Sequence, residues 1–212
     1  MVRGTFSPAR AWRLAVGPAS PQTLGLTKTM RPWKRLASST VLANRWINVT
    51  ADKCLLPNGA VVEPYFVVHE PEWVHVFAIN TAEQVLVVRQ YRYAADAVCT
   101  ELPGGVVEEG EEPLAAAKRE LLEETGYHAR SWEYVGPLFA NPGRQTNRIH
   151  LFIAREISAA SKQNLDATEE IEFHFLSAAE VQVAIDSGEF SQAFHVASYY
   201  RATHFLAAAS EA

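Results

Sequence analysis

The sequence predicts an α/β (α+β) protein: a small antiparallel β region, then a mixed α/β domain that ends in helix. Three observations carry this expectation. Between Arg35 and Val107 the chain is a succession of short apolar runs rich in Val, separated by turn residues such as Asn58-Gly59. A single strongly bounded helix, Pro113–Thr125, then interrupts the strands. The last 35 or so residues carry helix signals, opened by Ser177-Ala178-Ala179-Glu180. At 48% hydrophobic residues the chain has material for a packed core, which excludes a largely disordered protein. No apolar run approaches the ~18 residues of a membrane span.

Taken in order, residues 1–29 are rich in Arg, Ser, Thr, Pro and Gly and hold no acid. Met1 and Met30 are the two methionines, so this segment reads either as an organellar targeting sequence or as an over-extended start, disordered in both cases. Residues 30–69 form the N-terminal β region. Arg35–Leu42 and Trp46–Leu56 read as strands around Ala43-Asn44, and Asn58-Gly59 turns the chain into Val61–His69. Residues 70–188 form the main domain. Val74–Ile79 and Val85–Tyr91 pair across a polar turn, and Thr100–Val107 is a strand carrying the Pro103-Gly104-Gly105 break. The helix Pro113–Thr125 has Pro at its start and Gly126 past its end. Trp132–Phe139, Arg148–Ala154 and Ile171–Leu176 are strands, and the capping box opens a helix to Ser187. Residues 189–212 supply a terminal helix, Ser191–Ala209.

Charge is divided unevenly. Residues 1–51 hold eight Lys/Arg and no acid, whereas 52–212 hold 11 basic against 24 acidic residues, a net −13. A body that acidic repels a nucleic-acid backbone, whose affinity rests on cationic contacts. It attracts divalent cations and, through them, phosphorylated small molecules. Cys54 and Cys99 are too few and too far apart for a disulfide framework or a Cys-rich zinc site, which points to a reducing compartment.

The chemistry concentrates between Gly105 and Tyr127. On a helix, Glu120 lies three residues from Glu123 and four from Glu124, so the three carboxylates share neighbouring parts of one face. Like charges at that spacing destabilise a helix, and a hard cation held by carboxylate oxygens would compensate. Arg119 can neutralise or orient part of the cluster, and Gly104-Gly105 allows close backbone approach, with carbonyls free to complete a metal shell. A solvated acidic helix face is the alternative, and it leaves the glycines, Arg119 and the spacing unexplained.

The segment resembles the Nudix box at every defined position: Gly105, five residues, Glu111, seven residues, Arg119-Glu120-Leu121, one residue, Glu123-Glu124, one residue, Gly126 and apolar Tyr127. The box covers 23 residues, and a looser resemblance runs from Val74 to Ser187. It implies an α/β/α sandwich with a mixed sheet and hydrolysis of a nucleoside diphosphate linked to another moiety. By position, Glu120 and Glu124 become the principal Mg²⁺ ligands (Mn²⁺ a substitute), Glu123 and Glu111 assist, Gly104 contributes to the metal site, and Arg119 fixes the glutamates. Val87-Val88-Arg89-Gln90-Tyr91-Arg92 followed by Glu101-Leu102-Pro103-Gly104-Gly105 resembles the branch of ADP-ribose and nucleotide-sugar pyrophosphatases. Arg92 and Arg89 would then grip the diphosphate, or else are strand-edge cations. Glu101 would bind substrate or metal, or pair with an arginine. Pro142 stands where ADP-ribose pyrophosphatases carry a proline, and Trp33 and Trp46 match tryptophans that stack on the base in dimeric members, or else pack in a core or interface. The resemblance thus implies a homodimer whose N-terminal β region crosses the interface. Glu169, with Glu170 next, is the candidate for a further metal ligand or base, or else both belong to a solvated loop, while His150 and His174 read as core or edge residues.

Two positions depart from the branch: Tyr93 follows Arg92 where Pro is usual, and Asn147 replaces a glutamate of several bacterial members. The expected activity is Mg²⁺-dependent cleavage of ADP-ribose or a related nucleotide sugar, in the cytoplasm, or in an organelle if residues 1–29 are a transit segment. A house-cleaning nucleoside triphosphate pyrophosphatase and a non-catalytic nucleotide-binding module are the alternatives. Neither nucleic acid nor membrane is an expected partner.

Overall fold

The structure is a computed structural model and describes residues 30–209. The two readings of residues 1–29 lie outside them. The described chain forms two compact units, one of residues 30–71 with Phe139–Arg148, the other of Glu72–Leu138 with residues 149–209.

The first unit is an antiparallel sheet of β1 (Lys34–Ala43), β2 (Asn48–Leu55) and β3 (Val61–Val68), in that order. Its turns follow from asparagine side chains that replace backbone acceptors: Asn44 Oδ1 accepts from the N–H groups of Trp46 and Ile47, and Asn58 Oδ1 from Ala60. The loop Phe139–Arg148 is tied to β3, with Val68 N–H donating to Arg144 O (2.8 Å) and Tyr65 Oη to Gly143 O (2.6 Å). β1 is exposed along its whole length.

The second unit is built on a mixed sheet. Its strands are β4 (Trp73–Ile79), β5 (Val85–Arg92), β6 (Ala97–Glu101), β7 (Gly104–Val106), β9 (Ser131–Phe139), β10 (Arg148–Arg155) and β12 (Ile171–Leu176). The order is β12-β5-β4-β10-β9, with β6 on β5 and β7 on β4; β4 and β10 run parallel. Strand alternation places Val74, Val76, Ala78 and Phe152 on one face, under α1 (Pro113–Thr125) through Ala116, Ala117 and Leu121. Phe77, Ile79, Leu151 and Ile153 fill the other face, under α2 (Ala178–Ser187) and α3 (Ala193–Ala209) through Val181, Tyr199 and Leu206. Helix, sheet and helix thus form the expected α/β/α sandwich. Among the described residues no helix is long and apolar enough to cross a membrane.

The stretch expected as one strand, Thr100–Val107, is two. β6 pairs with β5 up to Glu101, the chain crosses at Leu102-Pro103, and β7 pairs with β4. The crossing puts Gly104 against β4 so closely that a Cβ there would lie 2.1 Å from Val74 O. The short pair β8 (Tyr127–His128) and β11 (Ser158–Ala159), and a 3-10 turn at Tyr93–Ala95, are too brief to leave a periodic signal.

Candidate active site

Helix α1 presents its acidic face beside β7. It starts at Pro113 and stops at Gly126, which takes the left-handed conformation (φ 74°) and returns its N–H to Leu122 O. Arg119 gathers the carboxylates. Its Nε and Nη2 donate to Glu111 (3.1 and 2.9 Å), its Nη1 to Glu120 (2.9 Å) and Glu123 (3.1 Å), and Nη2 also to the Val106 carbonyl (2.9 Å). One guanidinium thereby ties the loop before α1 to the helix face. Its hydrogen bonds hold the Glu111 carboxyl below the usual range.

Glu124 lies deeper, 5% exposed, and accepts the Gly104 N–H at 2.9 Å. Burial pushes its carboxyl well above the usual value, and the charges of Glu120, Glu169 and Glu101 push the same way. Burial also raises Glu120, against the pull of Arg119, with Glu123 and Glu169 adding repulsion. The cluster therefore crowds anionic oxygens with too little positive charge. Space is reserved as well: a Cβ on Gly105 would fall 2.4 Å from Glu120 Oε1. Among the described residues no three side chains form a ready-made metal cage, because the carboxylates are turned onto Arg119 and the Gly104 N–H.

Glu169 joins the cluster from the loop before β12. Its carboxylate accepts the Asp166 N–H (3.0 Å), and its charge is felt by both Glu120 and Glu124. Gln163 anchors that loop by donating to Glu124 O (2.5 Å) and Ile171 O (3.1 Å), and Asn164 N–H donates to Glu123 O (2.9 Å). Glu170 is exposed.

On the other flank, Arg92 clasps Glu101 with Nε to Oε1 (2.9 Å) and Nη2 to Oε2 (2.5 Å), and Gln90 Nε2 donates to the same carboxylate at 3.3 Å. Glu101 is 1% exposed, so Arg92 supplies the positive charge that its burial demands. Arg92 also feels the charge of Glu124. Arg89, three residues earlier on the same strand, points to the opposite face and lies 4.0 Å from Glu172. Arg92 and Glu101 are brought to the cluster and Arg89 is not. Trp33, Trp46 and Pro142 belong to the first unit. Trp33 meets Tyr65 edge-on (5.7 Å), and Trp46 is 76% exposed with the Arg45 guanidinium 4.4 Å above its ring. Asn147, also of that unit, is buried with both side-chain amide atoms unpaired. His150 is held between Glu72 and Tyr134 (2.9 Å each), and His174 is exposed on β12.

Residues 70–195 match the family model described as the NUDIX domain. The chain belongs to the Nudix family. Residues 33–68 match the model described as the nucleoside diphosphate sugar hydrolase N-terminal domain. Among curated proteins, the chain is 33% identical over 140 residues to an ADP-ribose pyrophosphatase of Bacillus subtilis, covering 66% of this chain and 75% of that protein. It is 34% identical over 140 residues to a methanol dehydrogenase activator of Bacillus methanolicus, covering 66% and 74%. A solved structure described as an ADP compounds hydrolase superposes with a TM-score of 0.75 at 21% identity, over 85% of this chain and 97% of that one.

Several site residues of this Nudix hydrolase escape the sequence reading. Gln163 and Asn164, which anchor the loop of Glu169, stand in an unpatterned polar stretch. Gln90 was legible in the Arg-Gln-Tyr-Arg run, two residues before Arg92 and so on its face of the strand. His75 and His195 carry no local signal, since their partners lie 123 and 93 residues away.

Proposed function

We propose that the protein is a Mg²⁺-dependent pyrophosphatase that hydrolyses the diphosphate of ADP-ribose, or a related nucleoside diphosphate sugar, to a nucleoside monophosphate and a sugar phosphate. One observation carries the reading. Glu120, Glu124 and Glu169 form an under-neutralised carboxylate cluster whose neighbour Arg92 is held by buried Glu101. Cation-binding oxygens and a phosphate-binding guanidinium are what a diphosphate ester requires.

The donor set fits a hard divalent cation: only oxygens, mutually repelling, with room kept by Gly105. Glu120 and Glu124 would be its principal ligands, with Glu123, Glu169, Glu111 and Gly104 assisting. Such a cation, when bound, neutralises phosphate charge and lowers the pKa of an attacking water. The protein's own groups do the rest. Arg119 orients Glu120 and Glu123 through its Nη1. Arg92 uses Nε and Nη2 on Glu101 and leaves Nη1 for a phosphate oxygen. Glu169, carried on an anchored loop, is the group we assign to receive the proton of the attacking water, with Glu170 next in line. Positioning and electrostatics account for most of the acceleration in phosphoryl chemistry.

The N-terminal sheet supports a nucleotide-sugar substrate, since its exposed Trp33 and Trp46 offer faces for base stacking. In this reading two copies assemble as a homodimer, the N-terminal β region of each crossing to the other, and Pro142 contributes to the sugar or base end. The free thiols Cys54 and Cys99 suit a reducing compartment such as the cytoplasm.

The test is hydrolysis by the full chain, with and without Mg²⁺, of ADP-ribose, GDP-mannose, UDP-glucose, NADH and 8-oxo-dGTP. Preferential release of AMP from ADP-ribose is expected. Cleavage of 8-oxo-dGTP alone would overturn the substrate class, and an active monomer in sedimentation would overturn the shared assembly.

A further inference from the structure

Behind the Arg92–Glu101 pair lies a buried polar group that no step above uses. His195, 4% exposed at the start of α3, stacks on His75 of β4 with ring centroids 3.9 Å apart and planes 15° from parallel. His75 Nδ1 lies 2.8 Å from Ser198 Oγ, one turn along α3. His195 Nδ1 accepts the Leu102 N–H at 3.1 Å, so that nitrogen carries no proton. Its Nε2 is 3.6 Å from Glu101 Oε2.

Burial sets the protonation. Desolvation holds His195 well below the ordinary histidine value, with His75 and Arg92 pushing it down further, and holds His75 at about 3. Accepting the Leu102 N–H leaves the His195 ring neutral. With Nδ1 of His195 occupied as an acceptor, its single proton is on Nε2, aimed at the Glu101 carboxylate. At 3.6 Å this is a dipole facing a buried charge, longer than a hydrogen bond. One imidazole thus accepts the backbone N–H of Leu102 and faces the carboxylate of Glu101. Those residues lead directly into Gly104, whose N–H holds Glu124.

We propose that His195 is a positioning residue for the phosphate-binding arginine: braced by His75 and Ser198, it holds Glu101 and the Leu102 backbone so that Arg92 keeps its Nη1 end free for substrate. The proposal rests on the reading of Arg92 as the phosphate-binding group, and it makes α3 part of the active site. Gln90 shares the load on the carboxylate, so removing His195 loosens Arg92 rather than releasing it.

Two variants separate the two nitrogens. Asparagine reproduces an acceptor at the Nδ1 position, whereas glutamine reaches the Nε2 position. His195→Gln should keep the donor toward Glu101, and His195→Asn should keep only the grip on Leu102. The first readout needs neither substrate nor metal: the Nε–H signals of arginine-labelled protein in ¹⁵N NMR. Arg119 and Arg155 donate through Nε to Glu111 and Glu133 and serve as internal controls, and Arg92 is assigned by the signal lost in Arg92→Ala. In His195→Asn the Arg92 Nε–H should exchange about tenfold faster while both controls hold; in His195→Gln it should stay protected. The second readout is kinetic. Turnover of ADP-ribose should fall about tenfold in His195→Asn and recover in His195→Gln, with no further loss when His195→Asn is added to Arg92→Ala. Equal Arg92 exchange in wild type and His195→Asn overturns the proposal. So does loss of all three signals together in both variants, because that marks a merely structural residue. If the wild type cleaves no nucleotide sugar, the proposed substrate fails, while the exchange data still decide the positioning of Arg92.

Discussion

Adjacent glycines at the strand break make opposite demands, and alanine separates them. A methyl carbon on Gly105 would lie 2.4 Å from Glu120 Oε1, 2.5 Å from its Cδ and 2.8 Å from Oε2. Carbon needs roughly 3.5 Å, so the carboxylate must retreat by about 1 Å. The retreat gives up the Arg119 hydrogen bond to Glu120 Oε1. Gly105 is paired in strand with Val74, is not among the positive-φ glycines, and its three nearest neighbours are all at the far end of one glutamate rather than on backbone. Gly105→Ala should therefore fold with a stability within about 1 kcal/mol of wild type, the worth of one partly exposed ion pair. A misplacement of about 1 Å in a catalytic constellation costs on the order of 100-fold in rate, so kcat/KM for ADP-ribose should fall by about that factor. At Gly104 the obstacle is backbone: Val74 O at 2.1 Å, with His75 Cα and Val74 C at 3.1 Å. Relief there means moving β7 off β4, an overpacking cost of about 1–3 kcal/mol or more. Urea denaturation and steady-state turnover on the two variants decide the matter. A fully active Gly105→Ala, or a Gly104→Ala as stable as its neighbour, would refute the assignment of space to Glu120 and of close contact to Gly104.

Other outcomes follow from the same geometry. His75, held at about 3 against an ordinary 6.5, and His195, held well below it, bind more protons unfolded than folded. The His75 contribution to stability is complete above about pH 6.5 and is lost toward pH 3 at about 1.4 kcal/mol per pH unit, and His195 acts in the same direction; in urea, wild type should lose more between pH 7 and 4.5 than His75→Gln, and equal losses would contradict this. Glu124→Gln removes a buried charge that burial and its neighbours disfavour. The cation-free variant should melt higher than wild type at pH 8, by about 2–4 °C per kcal/mol relieved, and should show no thermal shift with Mg²⁺; a lower cation-free Tm would count against it. Arg92→Ala strands Glu101 in the interior and should cost about 3 kcal/mol, whereas Arg89→Ala, facing Glu172 at 4.0 Å on an exposed surface, should change stability by less than about 0.5 kcal/mol; similar losses in both would show that the two arginines are not on opposite faces.

What the sequence made legible was local. Pro113 and Gly126 bound α1, Ser177 and Glu180 close the capping box found at the start of α2, and Asn58-Gly59 makes its turn, because each signal acts on backbone groups within a few residues. The spacing of Glu120, Glu123 and Glu124 placed three carboxylates on one helix face by geometry alone. The rest depended on the sheet. That Arg89 and Arg92 part company follows from alternation, but only β6 on one side of β5 and β12 on the other show what each meets. Thr100–Val107 divides because its two halves answer to different neighbours, which composition does not record. Gln163, His75 and His195 are single polar residues whose partners arrive from distant elements, so no window of sequence contains the reason they are there.

The Gln163 side chain has a consequence for how this loop can vary. One amide joins the end of α1 to the start of β12, closing residues 164–170 into a short ring of chain. Lengthening such a ring from seven residues to eleven costs only about 0.4 kcal/mol of closure entropy, too little for the fold to notice. The same insertion would swing Glu169 away from Glu120 and Glu124, whose crowding it helps to create. Length in this loop is therefore nearly invisible to folding, while it sets how closely the Glu169 charge presses on Glu120 and Glu124.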